Sequence, residues 1–174
     1  MSDLNTLVQL LEKNKALQKR LEHLETLEGP ATIVARYTTN AGQSIPNNAN
    51  TIVDFGTLVY DTHSVVTTGA AWHFHAPVNG YYAVSAAILF SSTNTWADAE
   101  GGELQLYKNG AAYSRLDWKD NYGSASSIYM QLSGSDLVYL AATETLDIRV
   151  WQISGAALAL HNNAYYNYVS IHKI

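Results

Sequence analysis

Three groups of side chains in this sequence have types and spacings that suit chemistry. His73 and His75 are alternate residues, and alternate residues of a strand share a face, so their imidazoles could hold one metal ion. Spacing supplies no third ligand. The other reading is a pair of strand histidines on a half-exposed or subunit-facing surface. The run Trp96-Ala97-Asp98-Ala99-Glu100-Gly101-Gly102-Glu103 gathers carboxylates, the hard oxygen donors that Ca2+ takes. It lacks the ligand spacing of a known calcium loop, and a solvated acidic loop is the other reading. Trp118, Asp120 and Tyr122, together with Trp96, set flat rings beside acids in loop-like contexts. A ring stacks while an acid accepts hydrogen bonds, which suits a carbohydrate or protein ligand. Packing under their own loops or at subunit seams is the alternative for these rings, and for Tyr165 and Tyr166.

Covalent catalysis finds no such set. The sequence has no cysteine, no Gly-x-Ser-x-Gly, no phosphate-cradling Walker loop and no His-Glu-x-x-His. Asp117 and Asp120 are a conceivable carboxylate pair for glycoside cleavage, but any acidic loop offers as much. The expectation is a protein that is not an enzyme and has no cofactor, with Ca2+ or a metal on a symmetry axis as the two candidate ions.

The elements that must position these groups change character near residue 30. From Ala31 onward apolar residues recur with period two between turn signals such as Asn79-Gly80 and Asn109-Gly110. Strands are predicted near 31–38, 51–60, 71–75, 80–91, 102–107, 111–117, 126–132, 136–142, 145–153, 157–161 and 165–173. Short strands so spaced make a sandwich or barrel. The 80–91 strand carries Tyr82, Val84, Ala86, Ile88 and Phe90 on one face and Tyr81, Ala83, Ser85, Ala87 and Leu89 on the other. Both faces are largely apolar, so both need cover, and a second copy of the chain is the natural second cover. The last strand alternates in the same way, with Tyr166 and Tyr168 on the side opposite Val169 and Ile171.

Residues 1–28 are predicted to be a helix and a separate domain from the head at 29–174. Leu7, Leu10, Leu17, Leu21 and Leu24 fall at spacings of three and four. With Leu7 at heptad position a, Leu10, Leu17 and Leu24 take d, while Asn14 and Leu21 take a. This is a coiled-coil seam of about 37 Å, closed by Gly29-Pro30, where glycine accepts a left-handed cap and proline cannot continue the ladder. Asn14 in the seam fixes register, and in parallel coils often accompanies dimers. Leu4, Leu11 and Leu27 widen the stripe toward more than two helices.

Charge narrows the partners. Residues 1–28 carry four Lys/Arg and five Asp/Glu, and the remainder six and ten, a balance of 6 − 10 = −4. Nothing basic is clustered to neutralise phosphates, so nucleic acid is not expected as a partner. No apolar run reaches the length that spans a bilayer, and the N-terminal leucines are interrupted by polar residues, unlike an export signal. The expectation is a protein that stays where it is made, is released by lysis, or has been trimmed.

The stretch from Phe55 to Ala86 resembles the signature of the C1q/TNF-like family. Phe55 is followed six residues on by Asp61, and Phe74 is followed by Gly80-Tyr81-Tyr82 in the family's Gly-x-Tyr. Leu106-Tyr107-Lys108-Asn109-Gly110 resembles its next hairpin, and Asp136-Leu137-Val138-Tyr139-Leu140 its late strand. The Asp61-to-Phe74 stretch is one residue long for the pattern, Val84 and Ala86 replace aromatics, and Tyr168-Val169-Ser170-Ile171 stands where Phe-x-Gly is usual. The resemblance covers 31–174. It implies an all-β jelly-roll sandwich behind the helix, a homotrimer with the last strands near its three-fold axis, and no catalysis. It carries no ligand, because heads of this fold bind very different things. On a three-fold axis His161 or His172 would be present in triplicate and complete a ligand set. The family's animal members usually have a collagen stalk, and no Gly-X-Y run is present here. A coiled coil before a Ser/Thr/Asn/Ala/Tyr-rich head looks more like a bacteriophage virion protein, a head fibre or tail-fibre tip whose head binds a host surface glycan or protein. A C1q-like binding protein outside any virus and a glycan-acting enzyme are the alternatives, and the expected location is the virion or otherwise extracellular.

Overall fold

The computed structural model describes residues 2–27 and 32–174, with side chains at 6–20 and 32–174. The chain divides into two units, Met1–Thr32 and Ile33–Ile174. In the first, a helix spans Ser2–Leu27. Leu7, Leu10 and Leu17 each stand more than half exposed on it, as do Val8 and Leu11. Asn14 is also exposed, and one surface ion pair joins Lys15 to Glu12 at 3.3 Å. The side chains of Leu21 and Leu24, and the expected stop at Gly29-Pro30, lie outside the described residues.

The second unit is a sandwich of antiparallel sheets. One sheet has five strands in the spatial order Gln131–Leu140, Gly80–Leu89, Tyr168–Lys173, Val34–Thr38 and Thr57–Asp61. The facing sheet runs Ala111–Asn121, Glu100–Lys108, Thr145–Ile153, His73–His75 and Val66–Thr67, with Thr51–Ile52 also paired to Thr145–Ile153. Alternation drives this arrangement: Tyr82, Val84, Ala86 and Ile88 from one sheet meet Leu104, Leu106, Leu146, Ile148 and Val150 from the other, and all are buried. Edge-to-face rings fill the middle, with Trp72 against Phe55 at 5.5 Å and Phe74 against Tyr82 at 5.4 Å. Each fully buried ring contributes about 1.5–3 kcal/mol.

Three predicted strands are redrawn. The 51–60 segment divides between sheets: Thr51–Ile52 pairs with the 145–153 strand and Thr57–Asp61 with Val34–Thr38. Between them Val53 and Phe55 plunge into the core, and Asp54 accepts the Gly69 N–H at 3.0 Å. The Ser133-Gly134-Ser135 break expected between two strands is instead the middle of one, continuously paired from Gln131 opposite Leu89 to Leu140 opposite Gly80. Glycine is needed there because the Leu116 carbonyl occupies the space of a Cβ. The last strand starts at Tyr168 rather than 165, and Tyr165 stands 80% exposed ahead of it.

The two-sided character of the 80–89 strand is partly resolved within the chain. Its core face is buried throughout. On its second face Ala87 and Leu89 are buried, Ala83 and Ser85 are half-buried, and Tyr81 is 54% exposed. Tyr81 lies directly opposite Tyr139, ring to ring at 5.3 Å, beside Leu137. Tyr139 and Leu137 are also about half exposed, so the single chain leaves an apolar row open on this face.

Candidate binding surfaces

The outer face of the six-stranded sheet brings together residues from three strands. Register aligns Trp118, Glu103 and Trp151 in one row, and Arg115, Gln105 and Arg149 in the next. Trp118 and Trp151 stack with centroids 5.7 Å apart and planes 22° apart. Trp151 Nε1 donates to Asn48 at 3.1 Å, and the Arg115 guanidinium lies 5.0 Å over Trp118. Glu103, only 8% exposed, accepts from Arg115 Nε at 2.9 Å and Gln105 Nε2 at 2.8 Å, both at Oε1. Arg149 directs its two bonds to Asp147 and covers the Tyr107 ring at 3.9 Å. The bond to Asp147 raises the Arg149 pKa.

The expected aromatic-and-acid group only partly assembles. Asp120 Oδ2 accepts from Trp118 Nε1 at 2.6 Å and from the Tyr122 hydroxyl at 3.0 Å, which ties these three side chains together at one end of the sheet. The bond to that carboxylate raises the Tyr122 pKa. Tyr122 is 81% exposed. Trp96 does not belong to the surface: it is fully buried and packs on Phe90 at 5.1 Å. Its alternation puts it inward, where ring burial outweighs the loop-like sequence around it. The acidic run does not form one cluster either. Asp98 accepts the Gly123 N–H, Glu100 accepts the Ala97 N–H, and Glu103 lies on the sheet face with Arg115. Asp117 is likewise held, accepting the N–H groups of Trp118 and Ser133.

His73 and His75 flank buried Phe74 and point to the same side, both half-buried, with His73 Nδ1 2.8 Å from the Ala71 carbonyl. Among the described residues no three His, Asp or Glu side chains gather as a metal site.

A second surface lies at one end of the five-stranded sheet. Tyr129, His161 and Tyr166 form a chain of rings, 5.7 Å and 5.2 Å apart, extended by Tyr165 at 5.1 Å from Tyr166. Tyr129, His161 and Tyr166 line a hollow of about 380 Å³ with Leu89, Gln131 and Asn163. Buried Asn167 supports it by accepting the Leu89 N–H and donating to the carbonyls of His161 and Asn163. Tyr168 lies nearby under the Arg36 guanidinium, 4.3 Å from its ring. Sequence reasoning missed Trp151, Gln105 and Tyr129 as surface partners. The alternation Asp147, Arg149, Trp151 within one strand was the available signal for the first.

No protein-family model matches the sequence, and no curated protein does. Solved structures do. The chain is similar to Eiger, a tumour necrosis factor of S. frugiperda, at 16% identity and TM-score 0.58, over 82% of this chain and 92% of that one. Murine APRIL aligns at 12% identity and TM-score 0.57, over 82% and 99%. The globular domain of zebrafish complement 1qA aligns at 12% and 0.53, over 82% and 95%. With two facing antiparallel sheets in the order described above, residues 33–174 have the C1q/TNF-like jelly-roll fold.

Proposed function

We propose that this chain forms a homotrimer that works without catalysis, as an attachment or decoration protein of a bacteriophage virion. Its head binds a host surface ligand and its N-terminal helices join in a coiled coil that spaces or docks the head. The carrying observation is apolar surface left open on both units: Leu7, Leu10 and Leu17 along the helix, and Tyr81, Leu137 and Tyr139 on the five-stranded sheet. Soluble monomers rarely expose such rows together, and a second and third copy would cover them. Leu21, Leu24 and Asn14 continue the proposed helix seam, and Tyr166 and Tyr168 the proposed sheet interface. His73 and His75 remain the proposed pair should a metal bind. Trp118, Asp120 and Tyr122, with Asp98 and Glu100 nearby in the fold, are the proposed ligand-facing edge. Three copies of a weak site on one rigid body would gain strongly in avidity.

A soluble C1q-like binding protein outside any virus is the second reading, favoured by the likeness to a tumour necrosis factor and a complement globular domain. Light scattering tests the assembly: the expected mass is three times 19.1 kDa, and a monomer mass at micromolar concentration overturns it. Antibody against the head should label particles released on lysis of the source cells. Labelled cell surface with unlabelled particles would favour the second reading.

A further inference from the structure

We propose that the outer face of the six-stranded sheet holds a binding site for a neutral saccharide, in the cleft lined by Glu103, Gln105, Ala112, Tyr113, Ser114 and Arg115. The cleft measures about 280 Å³, room for one sugar ring to rest against it. Its floor contains a polar atom with nothing to bind. Gln105 donates through Nε2 to Glu103, which fixes the carboxamide's orientation and leaves Oε1 buried and without a hydrogen-bond partner. Arg149, the register partner of Gln105, turns Nε and Nη2 to Asp147 instead. Buried acceptors of this kind are rare and need donors. A ligand rich in hydroxyl groups supplies them.

Charge and shape select among hydroxylic ligands. Glu103 and Arg115 pair with each other, as do Asp147 and Arg149, so neither arginine stands as an unpaired cation to attract an anion. Tyr113, 48% exposed, offers a ring face beside the polar floor. A flat ring beside a few fixed polar groups is what the apolar CH face and hydroxyl rim of a pyranose require. The site lies on the sheet opposite the one proposed to join the subunits, so trimer formation leaves it open. This inference rests on the attachment reading for its biological use, but not for its geometry.

Saturation-transfer NMR on the full chain tests it, with glucose, galactose, mannose and N-acetylglucosamine each at about 10 mM, well above a dissociation constant of about 1 mM, and sialyllactose as the anionic comparison. At least one neutral sugar should receive saturation at its ring C–H protons. Gln105→Leu should weaken that binding by about ten-fold or more through loss of the acceptor. Tyr113→Ala, at a half-exposed position, should weaken it similarly. The proposal is overturned if no neutral sugar is saturated, if only sialyllactose is, or if neither substitution changes the affinity. A trimer that binds host cells but none of these sugars would sink the saccharide site and leave the attachment reading standing. A monomer that binds a neutral sugar would do the reverse.

Discussion

Trp118 and Trp151 stack at 5.7 Å across the strand that lies between theirs, above the position of Glu103. Two residues far apart in the chain thus form one roof over a mostly buried carboxylate. Replacing Trp118 with Ala removes the stack and the Nε1 bond to Asp120, and is expected to destabilise the head by about 1–2 kcal/mol. Near-ultraviolet circular dichroism should lose the coupled tryptophan signal, while Trp118→Phe should recover most of the stability in a chemical denaturation.

Asn167 is fully buried and makes one accepting and two short donating bonds, to Leu89 N–H, His161 O and Asn163 O. Asn167→Ala removes all three bonds, leaving Asn163 O only the Tyr166 N–H, and should cost about 3 kcal/mol. A urea midpoint shifted with an unchanged slope would report it. The hollow beside His161 should loosen as well, visible as faster amide exchange at Leu89.

At Gly134 a methyl group would strike the Leu116 carbonyl, a backbone atom that cannot swing away. Gly134→Ala is therefore expected to destabilise by about 1–3 kcal/mol, despite the usual preference for alanine over glycine in regular structure. An unchanged melting temperature would contradict the continuous 131–140 strand.

Glu144 accepts from Lys108 Nζ, the Ala141 N–H and Asn109 Nδ2, and these hold its pKa down to about 2. A carboxylate whose folded pKa is depressed contributes stability that is complete above its ordinary value of 4.5 and lost as pH falls toward 2. Glu144→Gln should flatten the acid limb of the stability curve between those values and leave its slope at neutral pH unchanged. Burial, aided by the bond to Asp61, pushes the Tyr37 phenol up to about 12. Its neutral form is favoured by folding, so the stability it contributes is present below pH 10 and declines as pH rises toward 12. Tyr37→Phe should remove that alkaline decline.

On the five-stranded face, Tyr139→Arg places a charge in the row formed with Tyr81 and Leu137. If that row joins subunits, the measured mass should fall toward that of one chain at micromolar concentration while the circular dichroism of the sheets is kept. The corresponding change on the helix, Leu17→Lys, separates the two contributions: a trimer that survives it is held chiefly by its heads.

Local sequence determined the classes of element. Period-two alternation in residues 80–89 or 145–153 requires a strand with a defined inner face, and leucines at three-and-four spacing require an amphipathic helix, because side-chain direction repeats with the backbone. Trp118, Asp120 and Tyr122 were readable as neighbours because each lies two residues from the next. What lies across strands was not readable. Only the register of three strands sets Trp151 beside Trp118 and leaves Gln105 Oε1 without a donor. Only the packing of two sheets takes Trp96 inside and makes Gly134 part of a strand rather than a turn. Such contacts join residues remote in the chain, and the energy of burying a ring or satisfying a carboxamide exists only once the sheets have closed upon each other.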